Sequence, residues 1–390
     1  MFKIQTLNNI SVRGLDRLPR DTFEVASEMT SPDAIMVRSA DMHKRDIPAS
    51  VRAIGRAGAG TNNIPVAAMS KRGVPVFNAP GANANAVKEL VLAGLLLASR
   101  NIAPALDFVR KLEGDDKALH EAVEAGKKKF VGFELPGRSL GVIGLGAIGI
   151  KVANAALDLG MEVWGYDPAM TVNNAWKLDA RVRRAVSVDD LISRSQFVSL
   201  HVPLIDATRN LVNADRLKLL KKQGVVLNFS RAPIVDEAAM VEALNAGTLH
   251  AYICDFPSVT LQGHPRVVAT PHLGASTGEA EENCAVMVAD QLRDYLETGN
   301  VTNSVNFPDA VLPLLPGKSR LAIVNENVPN MVGQISTQLA KERLNIADLL
   351  NKSRGDLAYT LVDLDAPPSA EALAAIKGIS GVLNVRTITG

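Results

Sequence analysis

The stretch "SLGVIGLGAIGIKVANAALDLGMEVWGYDP", residues 139–168, decides the fold of this chain. An apolar run, residues 140–143, precedes a G-x-G-x-x-G pattern, and the residues after it have the apolar spacing of a helix. A second apolar run ends at Asp167, 18 residues after Gly149. The order strand, glycine turn, helix, strand is typical of a dinucleotide-binding βαβ unit. The sequence therefore predicts such a unit, although it begins about 140 residues into the chain.

The glycines and the acidic residue of this stretch each suit one chemical task. Gly144 permits the tight turn, Gly146 lets the backbone approach a pyrophosphate, and Gly149 lets the helix pack on the strand. Asp167 can accept hydrogen bonds from the ribose hydroxyls, and its negative charge would repel a 2′-phosphate. We therefore predict NAD, rather than NADP, as the cofactor.

Composition and charge exclude several classes of partner. The 390 residues include 42 Lys and Arg against 41 Asp and Glu, so the net charge is +1. Such a balance gives no global field that favours nucleic acid or an anionic membrane. The longest apolar run, "LVLAGLLLA" from Leu90, is far shorter than the roughly 20 residues that span a bilayer. We expect a small-molecule substrate, no nucleic-acid partner and no membrane partner.

The N-terminus and the two cysteines indicate where the protein works. The first residues, "MFKIQTLNNISVRGLDR", lack the apolar core of a signal peptide. Cys254 and Cys284 offer neither a disulfide framework nor the spacing of a metal site, so we predict buried thiols and no metal. Together these features favour a cytoplasmic location.

The pattern of strands and helices predicts an α/β fold with three parts. From Arg138 to about Thr277, six apolar, β-rich runs alternate with helical spacers, which predicts a doubly wound parallel sheet of the Rossmann type. The first 95 residues predict a smaller α/β domain. A proline-rich linker, residues 311–319, leads into a strand-helix-strand-strand-helix-strand pattern that is typical of a ferredoxin-like domain.

Polar residues lie where the predicted parallel strands end, which is the edge where ligands bind. Arg231 can hold a substrate carboxylate with two hydrogen bonds, and His272 can transfer a proton while a hydride moves. The alternatives are a surface ion pair for Arg231 and a packed core position for His272. The other residues predicted to contact the cofactor are Ala147, Ile148, His201, Val202, Pro203, Thr208, Phe229, Ser230, Asp255 and Gly274.

Two further segments resemble the D-2-hydroxyacid dehydrogenase family. They are "NFSRAPIVDE", residues 228–237, and "TPHLGAS", residues 270–276, and the resemblance extends over residues 1 to about 305. It implies hydride transfer between NAD and a small 2-hydroxy acid, with Arg231 and His272 as catalytic residues. It also implies a substrate domain at 1–95 with a return segment at 280–310, an NAD domain at 96–279 inserted in it, and an active site in the cleft between them.

The segments 54–65, "IGRAGAGTNNIP", and 76–90, "VFNAPGANANAVKEL", resemble the substrate loops of family members that act on a phosphorylated substrate. The resemblance places the backbone of Gly58, Ala59 and Gly60, together with Asn83, near the substrate carboxylate. The candidates for phosphate binding are Arg38, Ser39 and Arg56. Both arginines follow apolar strands, and either could instead form a structural ion pair.

Residues 320–390 resemble an ACT domain, an amino-acid-sensing module. The motif "NVPNMVG", residues 327–333, carries Asn330 where glycine is commoner. The resemblance implies that L-serine is an effector bound at Asn325, Asn327 and Asn345, in a homodimer or homotetramer. The alternative is a dimerisation module without a ligand.

One position departs from the family pattern. A glutamate usually follows the aspartate of the "DVF" segment by five residues and hydrogen-bonds the catalytic histidine, but here Thr260 occupies that position. Two other functions stay open, and the missing glutamate favours the second of them. One is reduction of another 2-keto acid, such as hydroxypyruvate, glyoxylate or 2-oxoglutarate, and the other is a non-catalytic, NAD-sensing scaffold.

Overall fold

The chain forms three β-sheets with helices between them. The structure, a computed structural model, describes residues 1–389. The strands are β1 Phe2–Leu7, β2 Phe23–Ala26, β3 Ala34–Val37, β4 Ala53–Arg56, β5 Val76–Phe77, β6 Ser139–Ile143, β7 Glu162–Tyr166, β8 Arg183–Arg184, β9 Phe197–Leu200, β10 Gly224–Asn228, β11 Leu249–Cys254, β12 Val267–Ala269, β13 Ser319–Glu326, β14 Ile346–Arg354, β15 Leu357–Leu364 and β16 Val382–Thr389.

Thirteen α-helices connect these strands within the described residues. They are α1 Val12–Leu15, α2 Val66–Lys71, α3 Ala84–Ser99, α4 Ile102–Arg110, α5 Asp116–Gly126, α6 Ala147–Asp158, α7 Val172–Ala175, α8 Val188–Arg194, α9 Ala214–Leu219, α10 Glu237–Asn245, α11 Gly278–Thr298, α12 Met331–Lys341 and α13 Ala370–Lys377. Short 3-10 helices lie at Lys127–Phe130, Asp206–Thr208 and Ala232–Ile234.

The chain divides into two compact units. The first unit comprises residues 1–83 and 278–390, and the second comprises residues 84–277. The boundary predicted at residue 95 falls inside α3, which packs with α6 and therefore belongs to the second unit. The C-terminal sheet belongs to the same unit as the first sheet, because the two share one hydrophobic core.

The first unit contains a parallel five-stranded sheet in the order β2-β1-β3-β4-β5. All four residues of β3 are buried, as expected for a parallel strand that is covered on both faces. Helix α11 covers one face with apolar residues at helical spacing, including Cys284, Val288 and Leu292. Gly55 in β4 allows this close packing, because a Cβ there would lie 2.4 Å from a methyl group of Val288.

The C-terminal part of the first unit is an antiparallel sheet in the order β14-β15-β13-β16, with α12 and α13 on one face. This arrangement is the predicted ferredoxin-like fold. The opposite face of the sheet packs on the end of α11 and the segment after it, through Val324, Tyr359 and Leu361 on the sheet and Tyr295 and Phe307 below it. The central strands β13 and β15 are therefore buried on both faces, while the edge strand β14 is largely exposed.

Side chains of this sheet cap the C-terminal end of α11. Arg386 donates a hydrogen bond to the carbonyl oxygen of Tyr295, Arg320 to that of Thr298 at 2.9 Å, and the Tyr359 hydroxyl to that of Gly299 at 2.6 Å. Carbonyls in the last turn of a helix have no partner within the helix and carry partial negative charge. Two cations and a hydroxyl therefore stabilise this helix end.

A buried ion pair joins β13 and β15 beneath the same helix end. Arg320 and Asp363 form two hydrogen bonds of 2.6 and 2.7 Å, and the residues are 0% and 2% exposed. The guanidinium also donates to the carbonyls of Leu312 and Pro313 at 2.7 and 3.1 Å. A charged group that is removed from water must have hydrogen-bond partners for all of its polar atoms, as Arg320 has here.

The second unit contains a parallel seven-stranded sheet in the order β12-β11-β10-β9-β6-β7-β8. All six predicted strands are confirmed, and β8, a two-residue edge strand, was not predicted. The chain reverses direction across the sheet between β6 and β9, which creates the switch point where α/β sheets bind ligands. The predicted glycine turn lies at this point.

Cys254 and Cys284 are free and buried, as predicted. Within residues 1–389, no cluster of His, Cys, Asp and Glu is arranged to hold a metal ion. No single helix in the described chain is long and apolar enough to cross a membrane, although α3 and α4, bent by 69°, pass the same test as a pair.

Replacing Asp363 with Asn should strongly destabilise the first unit. The substitution preserves the shape of the side chain but leaves the buried Arg320 cation uncompensated, which costs about 3–5 kcal/mol in comparable pairs. The matched control is Asp365→Asn, because Asp365 pairs with Lys318 at 2.5 Å on the surface, where ion pairs contribute little. Urea unfolding of the full chain measures both, and equal losses would contradict a special role for the buried pair.

Candidate active site

The glycine turn after β6 has the conformation that its sequence predicts. Gly144 has a φ of +91°, and a Cβ there would lie 2.4 Å from the carbonyl oxygen of His201. A Cβ on Gly149 would lie 1.9 Å from the carbonyl oxygen of Gly144. Neither position can therefore accept a side chain without moving the backbone of β6 or of the segment after β9.

Gly146 faces open space instead, since a Cβ there would have no neighbour within 4 Å. It is the N-cap of α6, so the first N–H groups of the helix, including those of Ala147 and Ile148, lack partners within the helix. An oriented set of N–H groups beside open space is the arrangement that binds phosphate groups. The turn therefore fits the pyrophosphate of a dinucleotide.

Asp167 fixes the glycine turn to the end of β7. Its carboxylate accepts hydrogen bonds from the backbone N–H groups of Leu145 and Ala169, each at 2.8 Å. A carboxylate offers about four acceptor positions, so two remain for other donors. Asp167 can therefore order the turn and still accept bonds from ribose hydroxyls.

His201 lies at the end of β9, directly beneath the glycine turn. Its Nε2 atom is 2.8 Å from the Ser199 hydroxyl, while its buried Nδ1 atom has no hydrogen-bond partner among residues 84–277. Burial lowers the pKa of His201 from 6.5 to about 4, so the imidazole is neutral near pH 7. A neutral ring suits the predicted position in the cofactor pocket better than a role in proton transfer.

Arg231 is presented by a turn that a buried asparagine holds in place. Asn228, which is fully buried at the end of β10, accepts from the N–H of Ser230 at 3.1 Å and donates to the carbonyl of Arg231 at 3.0 Å. The Arg231 side chain is exposed and donates to the Ser230 carbonyl at 2.6 Å. Within residues 84–277 no carboxylate lies within 4.0 Å of its guanidinium, so the alternative of a surface ion pair is not found there.

His272 is positioned by Asp255, which is 1% exposed. One carboxylate oxygen accepts from the Thr270 hydroxyl at 2.6 Å and from the N–H of Leu273 at 2.7 Å, and the other accepts from the N–H of Gly274 at 2.7 Å. Asp255 was predicted to contact the cofactor, and three of its roughly four acceptor positions are used by this loop. Asp255 and Gly274 therefore fix the backbone around His272.

The imidazole of His272 is exposed, so the alternative of a packed core histidine does not apply. Its ring packs against Phe256 at a centroid distance of 5.1 Å. Within residues 84–277 no carboxylate forms a hydrogen bond to the His272 imidazole. Thr260, in the loop between β11 and β12, is exposed. Glu237, at the start of α10, accepts from the Ser258 hydroxyl at 2.7 Å.

The remaining predicted cofactor residues line the same edge of the second sheet. The Thr208 hydroxyl donates to the Pro203 carbonyl at 2.6 Å, and the Ser230 hydroxyl donates to the Leu200 carbonyl at 2.6 Å. These bonds order the segments after β9 and β10, and Val202 and Phe229 pack into the cores below them. The hydroxyls of Thr208 and Ser230 therefore donate their protons to the backbone of the protein itself.

The first unit contains the two arginines predicted to bind phosphate, and they differ in environment. Arg38 at the end of β3 forms a two-point ion pair with Glu281 of α11, with one bond at 2.9 Å. This is the structural ion pair that the sequence left open as an alternative. Ser39 is exposed, and its N–H donates to Asn8.

Arg56 at the end of β4 has no carboxylate within 4.0 Å in residues 1–83 or 278–389. Its buried Nε atom lacks a hydrogen-bond partner, and burial, together with the charge of Arg38, lowers the pKa of its guanidinium. A Cβ on Gly58 would lie 1.6 Å from Nη1 of Arg56, so a side chain there would require this guanidinium to move. An unpaired, half-buried cation of this kind is stabilised by an anionic ligand.

The loop after Arg56 is ordered by backbone contacts. The Ala59 carbonyl accepts from the Asn78 side chain at 2.5 Å, and Gly58 accepts from the N–H of Ala79 at 3.0 Å. Gly60 and Asn83 are partly exposed in the same unit. The loop can therefore present backbone groups to a ligand.

The three asparagines predicted to bind an effector make hydrogen bonds within the C-terminal sheet. Asn325, only 1% exposed, donates to the Glu326 carbonyl at 2.7 Å and accepts from Thr360 at 3.3 Å. Asn327 and Asn345 are exposed and donate to the Gly355 carbonyl and to Asp365 at 3.1 and 2.7 Å. Asn325 thus has a structural position, while the other two remain accessible.

Sequence reasoning missed the buried polar residues that hold the exposed ones in place. Asn228 and Thr270 were not assigned a role, and the hydrogen bonds of Asp255 to the loop around His272 were not predicted. The available signal was a polar residue at the end of an apolar strand, since such a residue is buried only when it is hydrogen-bonded. Glu281 gave no signal, because its partner is 243 residues away in sequence.

The depressed pKa of His201 should make folding sensitive to mild acid. Between pH 6.5 and about 4 the unfolded chain binds a proton that the folded chain does not, so the free energy of unfolding should fall as the pH falls. At about 1.4 kcal/mol per pKa unit, the loss should approach 3 kcal/mol near pH 4, with none above pH 7. Urea unfolding at several pH values should show a flatter profile for His201→Gln. The control is His120→Gln at an exposed site, and an unchanged slope in His201→Gln would contradict this assignment.

Comparison with known proteins agrees with this arrangement. Residues 99–274 match the family described as D-isomer specific 2-hydroxyacid dehydrogenase, NAD binding domain. The chain is 34% identical over 340 residues to D-3-phosphoglycerate dehydrogenase of Haemophilus influenzae, covering 84% of this chain and 79% of the relative. It is 33% identical over 357 residues to the enzyme of that name from Escherichia coli, covering 86% of this chain and 81% of the relative.

Solved structures show the same fold. The NAD+-bound 3-phosphoglycerate dehydrogenase of Entamoeba histolytica is 26% identical, with a TM-score of 0.58, covering 78% of this chain and 98% of that one. D-2-hydroxyisocaproate dehydrogenase, at 23% identity and a TM-score of 0.64 with the same 78% of this chain and all of that one, supports the fold alone. This chain belongs to the D-isomer specific 2-hydroxyacid dehydrogenases, and it is an NAD-dependent dehydrogenase.

Proposed function

We propose that this dehydrogenase oxidises D-3-phosphoglycerate to 3-phosphohydroxypyruvate, reversibly, as the first step of L-serine biosynthesis. The observation that carries the proposal is Arg56, a half-buried cation without a carboxylate partner within its own unit. A substrate that is anionic at both ends needs a cation at each end, and Arg231, which has no carboxylate partner within its own unit, can supply the second. Relatives that are 33–34% identical carry the name of this activity.

The residues of the second unit would supply the chemistry. The glycine turn and Asp167 would hold NAD, which would supply the hydride acceptor. Arg231 holds the substrate carboxylate and polarises the adjacent carbonyl as it forms. His272 accepts the proton of the substrate hydroxyl during oxidation and returns it during reduction.

The residues of the first unit would select the substrate. The Arg56 guanidinium binds the phosphate, and the backbone of Gly58, Ala59 and Gly60 and the side chain of Asn83 bind near the carboxylate. Burial strengthens the interaction of Arg56 with an anion, because solvent screens it less than a surface charge. The unpaired state of Arg56 thus favours a phosphorylated 2-hydroxy acid over the unphosphorylated one.

A comparison of substrates tests this function. NADH oxidation should be faster with 3-phosphohydroxypyruvate than with hydroxypyruvate, glyoxylate or 2-oxoglutarate. Arg56→Ala should lower kcat/KM for the phosphorylated substrate about tenfold to hundredfold, since a hydrogen bond to a charged group contributes about 1.5–3 kcal/mol. Arg45→Ala is the matched control. Arg45 is exposed in the same unit, and it has no ion-pair partner within residues 1–83 and 278–389. His272→Gln should lower turnover of every substrate at least ~100-fold, which excludes a contaminating enzyme.

Equal use of phosphorylated and unphosphorylated substrates by the wild type would contradict the proposed substrate. Full activity in His272→Gln would contradict the proposed proton carrier. The absence of turnover with all four keto acids, together with normal NADH binding, would favour the scaffold instead.

We propose further that the C-terminal sheet with α12 and α13 is an ACT regulatory domain of a cytoplasmic homodimer or homotetramer, with L-serine as its effector. Its ferredoxin-like topology supports this, as do the exposed positions of Asn327 and Asn345. Asn330, the N-cap of α12, has a φ of +64°, a conformation that asparagine tolerates well. The departure from glycine at this position therefore leaves the start of α12 intact.

L-Serine should bind the full chain and lower its activity, and Asn345→Ala should weaken binding by the loss of one or two hydrogen bonds, about 1–3 kcal/mol. Isothermal titration calorimetry measures the affinity, with Ser353→Ala as a control at an exposed position of β14, the strand that follows Asn345. No heat and no inhibition at millimolar serine would leave dimerisation as the function of the domain.

A further inference from the structure

The first two turns of α11 bring a carboxylate to the arginines of the first unit. Glu281 binds both terminal nitrogens of Arg38, with one bond at 2.9 Å, and each side chain is 41% exposed. The planar guanidinium and the carboxylate meet in a two-point contact, which is the strong geometry for this pair. Glu281 therefore occupies the face of Arg38 that would otherwise bind a phosphate.

Arg56 lies close enough to this pair to interact with it electrostatically. Val37 and Arg56 are partners in the β3–β4 register, so Arg38, the residue after Val37, follows on the strand next to Arg56. The charge of Arg38 also contributes to the lowered pKa of Arg56. We call Arg38, Arg56 and Glu281 the arginine cluster. Its formal charge is +1, from two cations and one anion.

This charge balance determines how the cluster attracts an anion. A phosphate carries close to two negative charges at neutral pH, so it is attracted by the arginines and repelled by Glu281. It can obtain the two-point contact with Arg38 only by displacing Glu281. Arg56 is the one arginine of the cluster that is free to bind it without such an exchange.

We propose that Glu281 is a specificity-determining residue that acts through Arg38, weakening the attraction of the arginine cluster for a doubly charged phosphate. This inference rests on the proposed function, because it assigns the tuning of the phosphate site. Glu281 does not bind the substrate in this account. It keeps Arg38 in place and sets the charge of the cluster, and both effects raise the KM of a phosphorylated substrate.

Removal of this charge should strengthen phosphate binding. Glu281→Gln retains one carbonyl oxygen for Arg38 and nearly the same volume, but it changes the charge of the cluster from +1 to +2. We expect KM for 3-phosphohydroxypyruvate to fall about tenfold, which corresponds to about 1.4 kcal/mol. KM for hydroxypyruvate should stay within about twofold, because that substrate has no phosphate.

The chain offers a matched control beside the target. Glu282 is the next residue of α11 and pairs with Arg13 at 3.1 Å on the surface, so Glu282→Gln removes the same charge away from the cluster. KM and kcat for both substrates should be measured for the wild type and the two variants at low and high salt. The difference between Glu281→Gln and the wild type should shrink at high salt, because the affected charges are partly exposed.

A second measurement does not depend on turnover. Inorganic phosphate should bind Glu281→Gln about tenfold more tightly than the wild type in calorimetry, and Glu282→Gln should match the wild type. In an Arg38→Gln background, Glu281→Gln should have a smaller effect, since the residue acts partly through Arg38. Thermal melting of each variant shows whether the fold is preserved, and the phosphate titration uses only variants that melt as the wild type does.

The outcomes separate this inference from the proposed function. A wild type that does not distinguish 3-phosphohydroxypyruvate from hydroxypyruvate contradicts the proposed function. A wild type that prefers the phosphorylated substrate, with unchanged or higher KM for it in Glu281→Gln, contradicts the role of Glu281 alone. Equal changes in KM for both substrates, or equal effects of Glu281→Gln and Glu282→Gln, also overturn the inference. If Glu281→Gln does not fold, Glu281→Asp replaces it, and since a shorter carboxylate loses the two-point contact, unchanged phosphate binding in that variant overturns the inference.

Discussion

The packing of α11 is the constraint on which the first unit depends. The helix buries an apolar stripe on the parallel sheet, and glycine at position 55 is required for it to approach β4 this closely. Its C-terminal carbonyls are satisfied by Arg320, Arg386 and Tyr359, which all come from the C-terminal sheet. One helix therefore supports both sheets, and neither sheet can bury its inner face without it.

This arrangement has a mechanical consequence. The first turns of α11 hold Arg38 through Glu281, while its last turn is held by the C-terminal sheet. A helix of 21 residues transmits a displacement along its axis, because stretching it would break its internal hydrogen bonds. The arginine cluster and the C-terminal sheet are therefore joined through covalently continuous, hydrogen-bonded structure.

Local patterns in the sequence predicted the parts of the fold that local physics determines. The strand, glycine turn and helix around Gly144 follow from near-neighbour sterics, and the six strands of the second sheet follow from continuous apolar runs. The pairing of Arg38 with Glu281 could not be predicted in this way, because the residues are 243 positions apart and meet only when α11 packs on the first sheet. The same holds for the placement of the C-terminal sheet, which depends on the hydrogen bonds of Arg320, Arg386 and Tyr359 to the end of α11 rather than on any motif.

The candidate site shows a consistent division between buried and exposed polar groups. Asn228 and Asp255 are buried and form hydrogen bonds with the backbone around Arg231 and His272. The side chains of Arg231 and His272 are exposed and have no carboxylate partner within their unit, so their charge and protons remain available to a ligand. A carboxylate bound to either tip would have to be displaced before a substrate could bind, at the free-energy cost of breaking a charged hydrogen bond. Fixing the backbone from below avoids that cost while still restricting where each tip can lie, which is the requirement for orienting a substrate before reaction. Arg231 and His272 could be predicted from the sequence because the chemistry of their side chains is distinctive. The structural roles of Asn228 and Asp255 are recognisable only from the hydrogen bonds that they make.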